Sequence, residues 1–366
     1  TSSSFTSHFF MTKLEANKEE VAKGDVFKLT ITKIFNMSVA CKNSKLAVVA
    51  EKDGQQSILG QMALATLINT YEGYNALSFS NLKIPNDFAD GTYSVYVATK
   101  DEREATWSRV RGYVGSEAQL ILVVNGNKCT LTPFSGNLSL EEDIEVSVEL
   151  VHSLYSGLKG DFKMLVSNKS ASDEYYGLVG VALLDKNADF VAIVGDVQVE
   201  IKPGTDDREL AVSGNLAVTD ENSVTTNIPA GEYYICPCID WGGGTYAIGE
   251  LTPVTIKEAY GAADLKVSQP RLEKEELQVG ESLNFLADLS LSGDGNVYTG
   301  TLAAAVFKNA QGYAYSVHYQ NVFVEADQTE KLVMEIPLDL GAGRHAVRLY
   351  KSGTNGDLVT ISTLYR

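Results

Sequence analysis

Residues 180–194 read Gly-Val-Ala-Leu-Leu-Asp-Lys-Asn-Ala-Asp-Phe-Val-Ala-Ile-Val. Two short apolar runs flank a polar turn centred on residues 185–187. Runs of about five aliphatic or aromatic residues bounded by turn residues are typical of β-strands. The stretch therefore predicts two strands, Gly180 to Leu184 and Phe190 to Val194, joined by a tight connection.

Glycine landmarks bracket this stretch and recur twice more along the chain. A Gly followed by an acidic residue opens a strand-like run at three places, Gly24-Asp25, Gly160-Asp161 and Gly280-Glu281. A Gly two positions before a ring follows 67, 71 and 63 residues later, at Gly91, Gly231 and Gly343. These separations are too long for a solenoid repeat and indicate one module used three times.

Strand-like runs fill the rest of each module, whereas amphipathic helical periodicity is scarce. The other predicted strands are Val26 to Ile34, Lys45 to Ala50, Ser57 to Gly60, Thr92 to Ala98, Phe162 to Val166, Tyr233 to Ile239, Ser282 to Leu289, Thr301 to Phe307, Ala314 to Tyr319, Glu330 to Ile336 and His345 to Tyr350. Asp53-Gly54 supplies the positive φ angles of a tight hairpin turn. Short strands separated by turns predict an all-β chain of three β-sandwich domains.

The chain of 366 residues is long enough for three separate hydrophobic cores. We place the domains at residues 1–140, 141–262 and 263–366. Residues Gln119 to Leu140 have no counterpart of equal length after the second module. They predict a hairpin added at the end of the first domain.

The charge of the chain limits its partners. The formal net charge is −17 and the pI is about 4.7. Affinity for nucleic acid comes chiefly from clustered Lys and Arg, so we expect no nucleic-acid partner. No apolar run approaches the roughly 20 residues that span a bilayer, so we expect no membrane insertion in this segment. Solubility through self-repulsion is the simplest interpretation of the acidic balance.

The sequence begins Thr1-Ser2-Ser3-Ser4, without an initiator Met or an apolar leader. We expect either that a signal peptide has been removed or that the chain is a piece of a longer protein.

Four cysteines are too few for a disulfide scaffold. Cys41 and Cys129 fall in the first module and could pair. Cys236 and Cys238 share one face of a predicted strand, where a direct bridge would be strained. For this second pair we expect two reduced, buried thiols rather than a disulfide or a metal pair.

The residues of a catalytic site are missing from the sequence. The four His residues are scattered, and no Gly-x-Ser-x-Gly elbow is present. No Cys has a His at the spacing of a known family. We therefore predict that the chain is not an enzyme and assign no catalytic residue.

A metal site is the more serious possibility. Asp185, Asn187 and Asp189 alternate like the first three ligands of a calcium loop. Phe190 and Asp196 stand where that loop needs Gly and Glu. Because Asp and Asn are also favoured in any hairpin turn, a plain turn is the competing interpretation. Calcium is the one cofactor that the sequence suggests, and no other is expected.

Aromatic residues near turns could form a binding platform for sugar or peptide. Trp107 and Tyr246 lie 16 and 15 residues after Gly91 and Gly231. Their repeat position predicts core or edge packing without a ligand. Trp241 has no matching ring in the other modules, so the loop from Asp240 to Tyr246 is the preferred ligand-binding site.

Three Asn-x-Ser sequons occur, at Asn36, Asn137 and Asn168. They would accept sugar only in a eukaryotic secretory pathway, and such triplets arise easily by chance.

The pattern of residues 180–185, a turn, residues 190–194 and then Gly231-Glu232-Tyr233 resembles a known group of modules. It is similar to the tandem immunoglobulin-like or fibronectin-III-like domains of secreted Bacteroidetes surface proteins, including those trailing streptopain-type cysteine peptidases. The resemblance implies immunoglobulin-like β-sandwiches, a secreted or cell-surface location and an adhesive role, and it transfers no catalytic residue. The Cys, Trp and Cys spacing of antibody domains is missing.

These observations predict a non-catalytic adhesion or ligand-binding protein whose partner is an extracellular protein or a glycan. Two alternatives stay open at this point. One is an accessory or spacer tail of a secreted cysteine peptidase, and the other is a polysaccharide-binding accessory protein.

Overall fold

The computed structural model describes residues 5–112, 118–134, 143–240, 245–247, 249–308, 316–336, 342–352 and 357–365. Within these ranges the secondary structure is all β, which confirms the predicted fold class. No helix in the described part of the chain is long and apolar enough to cross a membrane. Residues 1–154 with 160–256 form one compact unit, and residues 155–159 with 257–366 form another.

Within the described ranges, thirteen strands form the first sandwich, which belongs to the first unit. They are β1 (Phe9–Met11), β2 (Leu14–Ala16), β3 (Glu20–Ala22), β4 (Phe27–Asn36), β5 (Cys41–Lys42), β6 (Lys45–Lys52), β7 (Gln55–Ala63), β8 (Leu67–Ile68), β9 (Gly73–Leu82), β10 (Gly91–Lys100), β11 (Ser108–Arg109), β12 (Gln119–Asn125) and β13 (Lys128–Phe134). One sheet has the order β1-β4-β2, with β9 also paired to β4. The other has the order β3-β13-β12-β10-β6-β7, with β11 on β10.

The second sandwich, also in the first unit, follows the same plan. Its strands are β14 (Ile144–Leu150), β15 (Leu154–Tyr155), β16 (Lys159–Asn168), β17 (Tyr175–Asp185), β18 (Phe190–Ile201), β19 (Arg208–Asn215), β20 (Ala217–Thr219), β21 (Thr225–Asn227), β22 (Gly231–Asp240), β23 (Thr245–Ala247) and β24 (Thr252–Lys257). The sheets have the orders β14-β16-β19 and β15-β24-β22-β17-β18, with β23 on β22.

The third sandwich lies in the second unit. Its strands are β25 (Ala263–Leu272), β26 (Glu276–Leu277), β27 (Leu283–Gly293), β28 (Val297–Lys308), β29 (Ser316–Glu325), β30 (Glu330–Ile336), β31 (Gly343–Lys351) and β32 (Asp357–Tyr365). The sheets have the orders β25-β27-β30 and β26-β32-β31-β28-β29. The pairing is antiparallel apart from β26 with β32.

The predicted hairpin at the end of the first domain needs a correction. Strand β12 pairs with β10 in the main sheet, as β24 pairs with β22 and β32 pairs with β31. It is therefore the counterpart of the last strand in the other sandwiches. Only β13 is added, between β12 and β3. The sequence reading was wrong because it treated both arms of the hairpin as an insertion.

Each sandwich has a hydrophobic cluster between its two sheets. In the first, Leu29 and Ile31 of one sheet face Val48 and Val95 of the other, and all four side chains are buried. The third cluster centres on Phe285 and Leu302 in the same way. The second cluster includes Phe162 and Val181 but also three side chains of the first sandwich, Phe10, Phe35 and Met37. The first two sandwiches thus share apolar packing within one compact unit.

Candidate functional site

The predicted calcium turn closes the β17–β18 hairpin with its own polar groups. The Oδ1 atom of Asp185 accepts hydrogen bonds from the backbone amides of Asn187 and Asp189, at 2.8 and 2.9 Å. The carboxylate of Asp189 pairs with the ammonium of Lys33 on β4. A cation here would compete with two amides and one ammonium for its ligands. Within the described ranges, no group of three or more His, Cys, Asp or Glu could hold a metal ion.

This turn meets the first sandwich through rings as well as charges. Phe190 stacks on Tyr71, with ring centroids 3.7 Å apart and planes inclined by 13°. It also lies 6.5 Å from the ring of Phe35. Tyr71 adopts a positive φ of 69°, a strained backbone for a ring-bearing residue. The residues that the sequence suggested as metal ligands therefore lie at the junction between the first two sandwiches.

The predicted ligand loop begins at the same junction. Asp240 ends β22, and its carbonyl accepts a hydrogen bond from the Tyr175 hydroxyl at 3.2 Å. The backbone of Tyr246 lies in β23, pairs with Ile239 and belongs to a strand that contacts β1. Trp241 lies outside the described residues. Ligand binding by Asp240, Trp241 and Tyr246 stays a prediction.

Beside Asp240 lies a small cavity of about 30 Å³, lined also by Gly180, Asp196 and Cys238. Since a buried water needs roughly 10–15 Å³ of such volume, the cavity is large enough for about two waters. A sugar ring does not fit inside it, so a ligand at Asp240 would have to lie on the surface.

His8 contributes a titratable ring near this junction. Burial, aided by the positive charge of Arg111, lowers the pKa of His8 to about 4, although Asp240 opposes the shift. The imidazole is therefore neutral at physiological pH. The carbonyl of His8 accepts a hydrogen bond from the amide of Met37 at 2.8 Å, which fixes this segment against the end of β4.

All four cysteines are free and buried. Burial raises the pKa of the Cys236 thiol to about 12 and also raises the pKa of Cys238 and of Cys41. The thiolate is the reactive form of cysteine, so these buried thiols are poor nucleophiles. The expectation of reduced, buried thiols at Cys236 and Cys238 is confirmed, and Cys41 does not pair with Cys129.

The first sequon belongs to a buried corner at the end of β4. The Oδ1 atom of Asn36 accepts a hydrogen bond from the amide of Ser38 at 2.8 Å. Its Nδ2 donates to the carbonyls of Val39 and Ile68, at 3.1 and 3.2 Å. Asn36 is fully buried. Its amide therefore joins the end of β4 to the end of β8.

The third sequon, at Asn168, repeats this corner at the end of β16. The Oδ1 atom of Asn168 accepts from the amide of Ser170 at 3.0 Å, and its Nδ2 donates to the carbonyl of Ile201 at 2.9 Å. Both sequon amides are buried, so neither can accept sugar in the folded chain. Asn137 lies outside the described residues. The Asn-x-Ser pattern at Asn36 and Asn168 reflects turn geometry.

A buried carboxylate closes the same end of the first sandwich. Burial by itself would raise the pKa of Asp101, but hydrogen bonds from Arg103 and from the amide of Lys42 outweigh it and hold the pKa below its usual value. The Lys42 amide donates to Asp101 Oδ2 at 2.6 Å, and Arg103 Nε donates to Oδ1 at 2.7 Å. The group is an ion pair that stabilises a loop, with no open coordination to a ligand.

Trp107 packs on the outer face of the second sheet of the first sandwich. Beneath it lies a separate buried cluster of Ala47, Val49, Tyr96 and Ala98. The prediction that Trp107 packs against its own module is confirmed. The side chain of Tyr246 is not described, so the matching prediction for that ring is untested.

A groove of about 530 Å³ lies between β2 and β13 of the first sandwich. This volume falls within the range of small-molecule sites. Lys13, Lys18 and Lys28 line it, but so do Glu15 and Glu19. Its charges are mixed, and its geometry selects no ligand class.

No protein-family model and no curated protein matches the chain. Among solved structures, it is similar to trypsin-activated alpha-2-macroglobulin from Escherichia coli, at 11% identity and a TM-score of 0.21, over 99% of this chain and 23% of that one. It is also similar to a marsupial T cell receptor, at 9% identity and a TM-score of 0.22, over 99% of this chain and 100% of that one.

A DUF4785 family protein from Legionella pneumophila is similar at 10% identity and a TM-score of 0.22, over 99% of this chain and 93% of that one. The chain spans less than a quarter of the macroglobulin, with 23% of its length covered. All three are distant matches to proteins built of several β-domains. The fold class rests on the strand pairing described above, and these similarities add no argument about a ligand.

Proposed function

We propose that this chain is a non-catalytic adhesion or ligand-binding protein, secreted or held at the cell surface, whose partner is an extracellular protein or a glycan. One observation carries the proposal. Catalytic groups of β-sandwiches would lie in the loops at the strand ends. In this chain, the polar side chains described there form hydrogen bonds or ion pairs with other groups of the protein.

Asn36 and Asn168 close corners, Asp101 is bound by Arg103, and Asp189 pairs with Lys33. The buried cysteines are held as thiols by their raised pKa values. In a scaffold of this kind, the outer sheet faces and the loops are the surfaces that a partner can contact. Binding is the activity that such surfaces support best.

The experiment is a glycan array combined with a pull-down of extracellular proteins, both with the full chain. We expect at least one specific partner that binds with a Kd below about 1 mM. The spacer tail of a secreted cysteine peptidase is the competing function, and it predicts that no partner is captured in either experiment. That result would contradict the proposal.

A polysaccharide-binding accessory protein is the second candidate. It is favoured by exposed tyrosines, since Tyr176, Tyr260 and Tyr319 are each more than 60% exposed. Tyrosine rings offer a flat apolar face to the carbon skeleton of a sugar and a hydroxyl to its oxygens.

A further inference from the structure

The outer face of the larger sheet in the third sandwich carries two tyrosines on either side of an alanine. Ala303 on β28 pairs with Tyr319 on β29 and with Tyr350 on β31. Paired residues of antiparallel strands share a face, so both rings lie on the same side of the sheet. Their backbones are two strand spacings apart, which is about 10 Å. Tyr319 is 62% exposed and Tyr350 is half-buried.

The next row on this face adds a cation and an aliphatic residue. Ala305 pairs with Val317 on β29 and with Arg348 on β31. One row in the other direction, Thr301 pairs with Asn321, and the Thr301 hydroxyl donates to Asn321 Oδ1 at 2.8 Å. The face therefore combines rings, a guanidinium, a hydroxyl and an amide over a floor of small residues.

The equivalent face of the first sandwich is covered by its own chain. When Gly91 and Gly343 are aligned, the pairs Ala47 with Ala98 and Val49 with Tyr96 correspond to Ala303 with Tyr350 and Ala305 with Arg348. Trp107 packs on that cluster. The guanidinium of Arg109 lies 4.1 Å from the ring of Tyr96. In the first sandwich, this position of the fold accepts a flat ring beside a cation.

The covering segment of the first sandwich lies in residues 101–118, between β10 and β12. The third sandwich has only residues 352–356 between β31 and β32. Strands β31 and β32 pair directly on either side of this connection, with Tyr350 opposite Asp357. Among its described residues, the third sandwich has no counterpart of the segment that carries Trp107.

Arg348 has unused bonding capacity on this face. Its guanidinium carbon lies 4.6 Å from the ring centroid of Phe307. Its Nε is buried and finds no hydrogen-bond partner among the described residues. A buried polar group without a partner in a native protein requires an explanation, such as a bound water or ion. The usual partner of a guanidinium is a carboxylate that accepts two parallel hydrogen bonds.

We infer that this face, formed by Tyr319, Tyr350 and Arg348, binds the hexuronate units of an acidic polysaccharide. The apolar side of the sugar ring packs on Tyr319 and against Tyr350, and its carboxylate pairs with the guanidinium of Arg348. Thr301 and Asn321 lie where the ring hydroxyls can reach them. The inference rests on the proposed binding function and names the ligand class and the site.

The test is isothermal titration calorimetry of the full chain with oligomers of galacturonate, mannuronate, guluronate and glucuronate. Each oligomer is compared with its carboxyl-reduced form, which has the same linkage and no charge. We expect at least one hexuronate oligomer to bind, and its reduced form to bind at least 10-fold more weakly. Equal affinity for the two forms would overturn the inference, as would the absence of binding by every hexuronate oligomer.

Two variants and two matched controls locate the site. Tyr319→Ala and Arg348→Gln should each weaken binding at least 10-fold. Val224→Ala removes an apolar side chain that is 56% exposed on the second sandwich, and Lys28→Gln removes a cation from the groove of the first. Both controls should change the affinity less than 2-fold. Circular dichroism shows whether each variant keeps its fold. Binding that survives both site variants, or falls equally in the controls, would refute the site.

Failure of this inference is distinguishable from failure of the proposed function. A neutral glycan or a protein partner that binds independently of Tyr319 leaves the adhesive function in place and removes the hexuronate site. Poly-glutamate that binds through Tyr319, with no hexuronate bound, assigns the face to acidic peptides instead. No partner of any kind in the array and the pull-down contradicts the proposed function itself.

Discussion

Asn36 occupies a strand end where the backbone turns away and leaves carbonyl groups without a strand partner. Its side-chain amide donates to two of those carbonyls, and its oxygen accepts from the amide of Ser38. Asn168 does the same in the second sandwich. Both residues lie in Asn-x-Ser sequons. An Asn followed two positions later by a Ser is also the pattern of this turn. Only the burial and bonding of the two side chains in the fold distinguish the two meanings.

Replacement of this amide should be costly. We expect Asn36→Ala to lower the free energy of unfolding by about 2–3 kcal/mol, since it leaves buried carbonyls without donors. Asn168→Ala should behave alike. Urea denaturation measures the change. The control is Asn222→Ala, at an exposed turn of the second sandwich, which should cost less than about 0.5 kcal/mol. Equal costs at Asn36 and Asn222 would contradict the role of the corner.

His8 should make stability depend on pH in a defined window. Its pKa in the folded chain is about 4, below the ordinary value of 6.5, because burial and Arg111 disfavour the charged ring. The unfolded chain therefore binds the proton more readily. Stability from this group is fully present above pH 6.5 and is lost as the pH falls to about 4, by up to about 3 kcal/mol.

His8→Gln tests this expectation. Between pH 7 and pH 5, the free energy of unfolding should fall less in the variant than in the wild type. Urea denaturation at several pH values measures this difference. An identical decline in wild type and variant would assign the pH dependence to other groups.

At the scale of the elements, the positions of most strands were predictable from the sequence, whereas their pairing partners in the sheets were not. The Asp53-Gly54 turn, for instance, has the two positive φ angles expected, 52° and 77°. Strand β9 was missed because polar residues interrupt its alternation and Ala76 adopts a positive φ of 52°. The role of β12 was missed because pairing with β10 is a long-range choice that local composition does not reveal.

The ion pair between β4 and the β17–β18 turn should respond unequally to loss of its two partners. The Lys33 side chain is 9% exposed, whereas that of Asp189 is 50% exposed. Asp189→Ala leaves a buried ammonium without a partner and should cost about 2 kcal/mol or more. Lys33→Met keeps the apolar packing and leaves a carboxylate that water can solvate, so it should cost less than about 1 kcal/mol.

Chemical denaturation of the two single variants provides the comparison, and Lys331→Met at an exposed position of β30 is the control. A larger cost for Lys33→Met than for Asp189→Ala would show that the buried ammonium is not the costly partner.

At the scale of the whole molecule, the number and order of the three cores follow the repeat read from the sequence. The domain boundaries at 140 and 262 stay predictions, and the first falls outside the described residues. The sequence could not show that its two preferred sites, at Asp189 and at Asp240, lie at the junction of the first two sandwiches. Spacing along the chain identifies a loop but not the neighbour that the loop meets.

Two compact units predict two unfolding transitions in calorimetry. Phe162 belongs to the core that spans the first two sandwiches, and Phe285 belongs to the core of the third. Phe162→Ala should lower the temperature of one transition and Phe285→Ala that of the other, each at a cost of about 3–5 kcal/mol. A single transition shifted by both variants would contradict independent units.

The sharing of Phe10, Phe35 and Met37 with the core of the second sandwich has an evolutionary consequence. A recombination event that separated the first repeat from the second would leave these three apolar side chains bare to water, and the product would aggregate. Gene shuffling should therefore transmit the first two repeats as a single heritable cassette. The third repeat has a hydrophobic cluster of its own, centred on Phe285 and Leu302, and is the one that descendants are free to exchange.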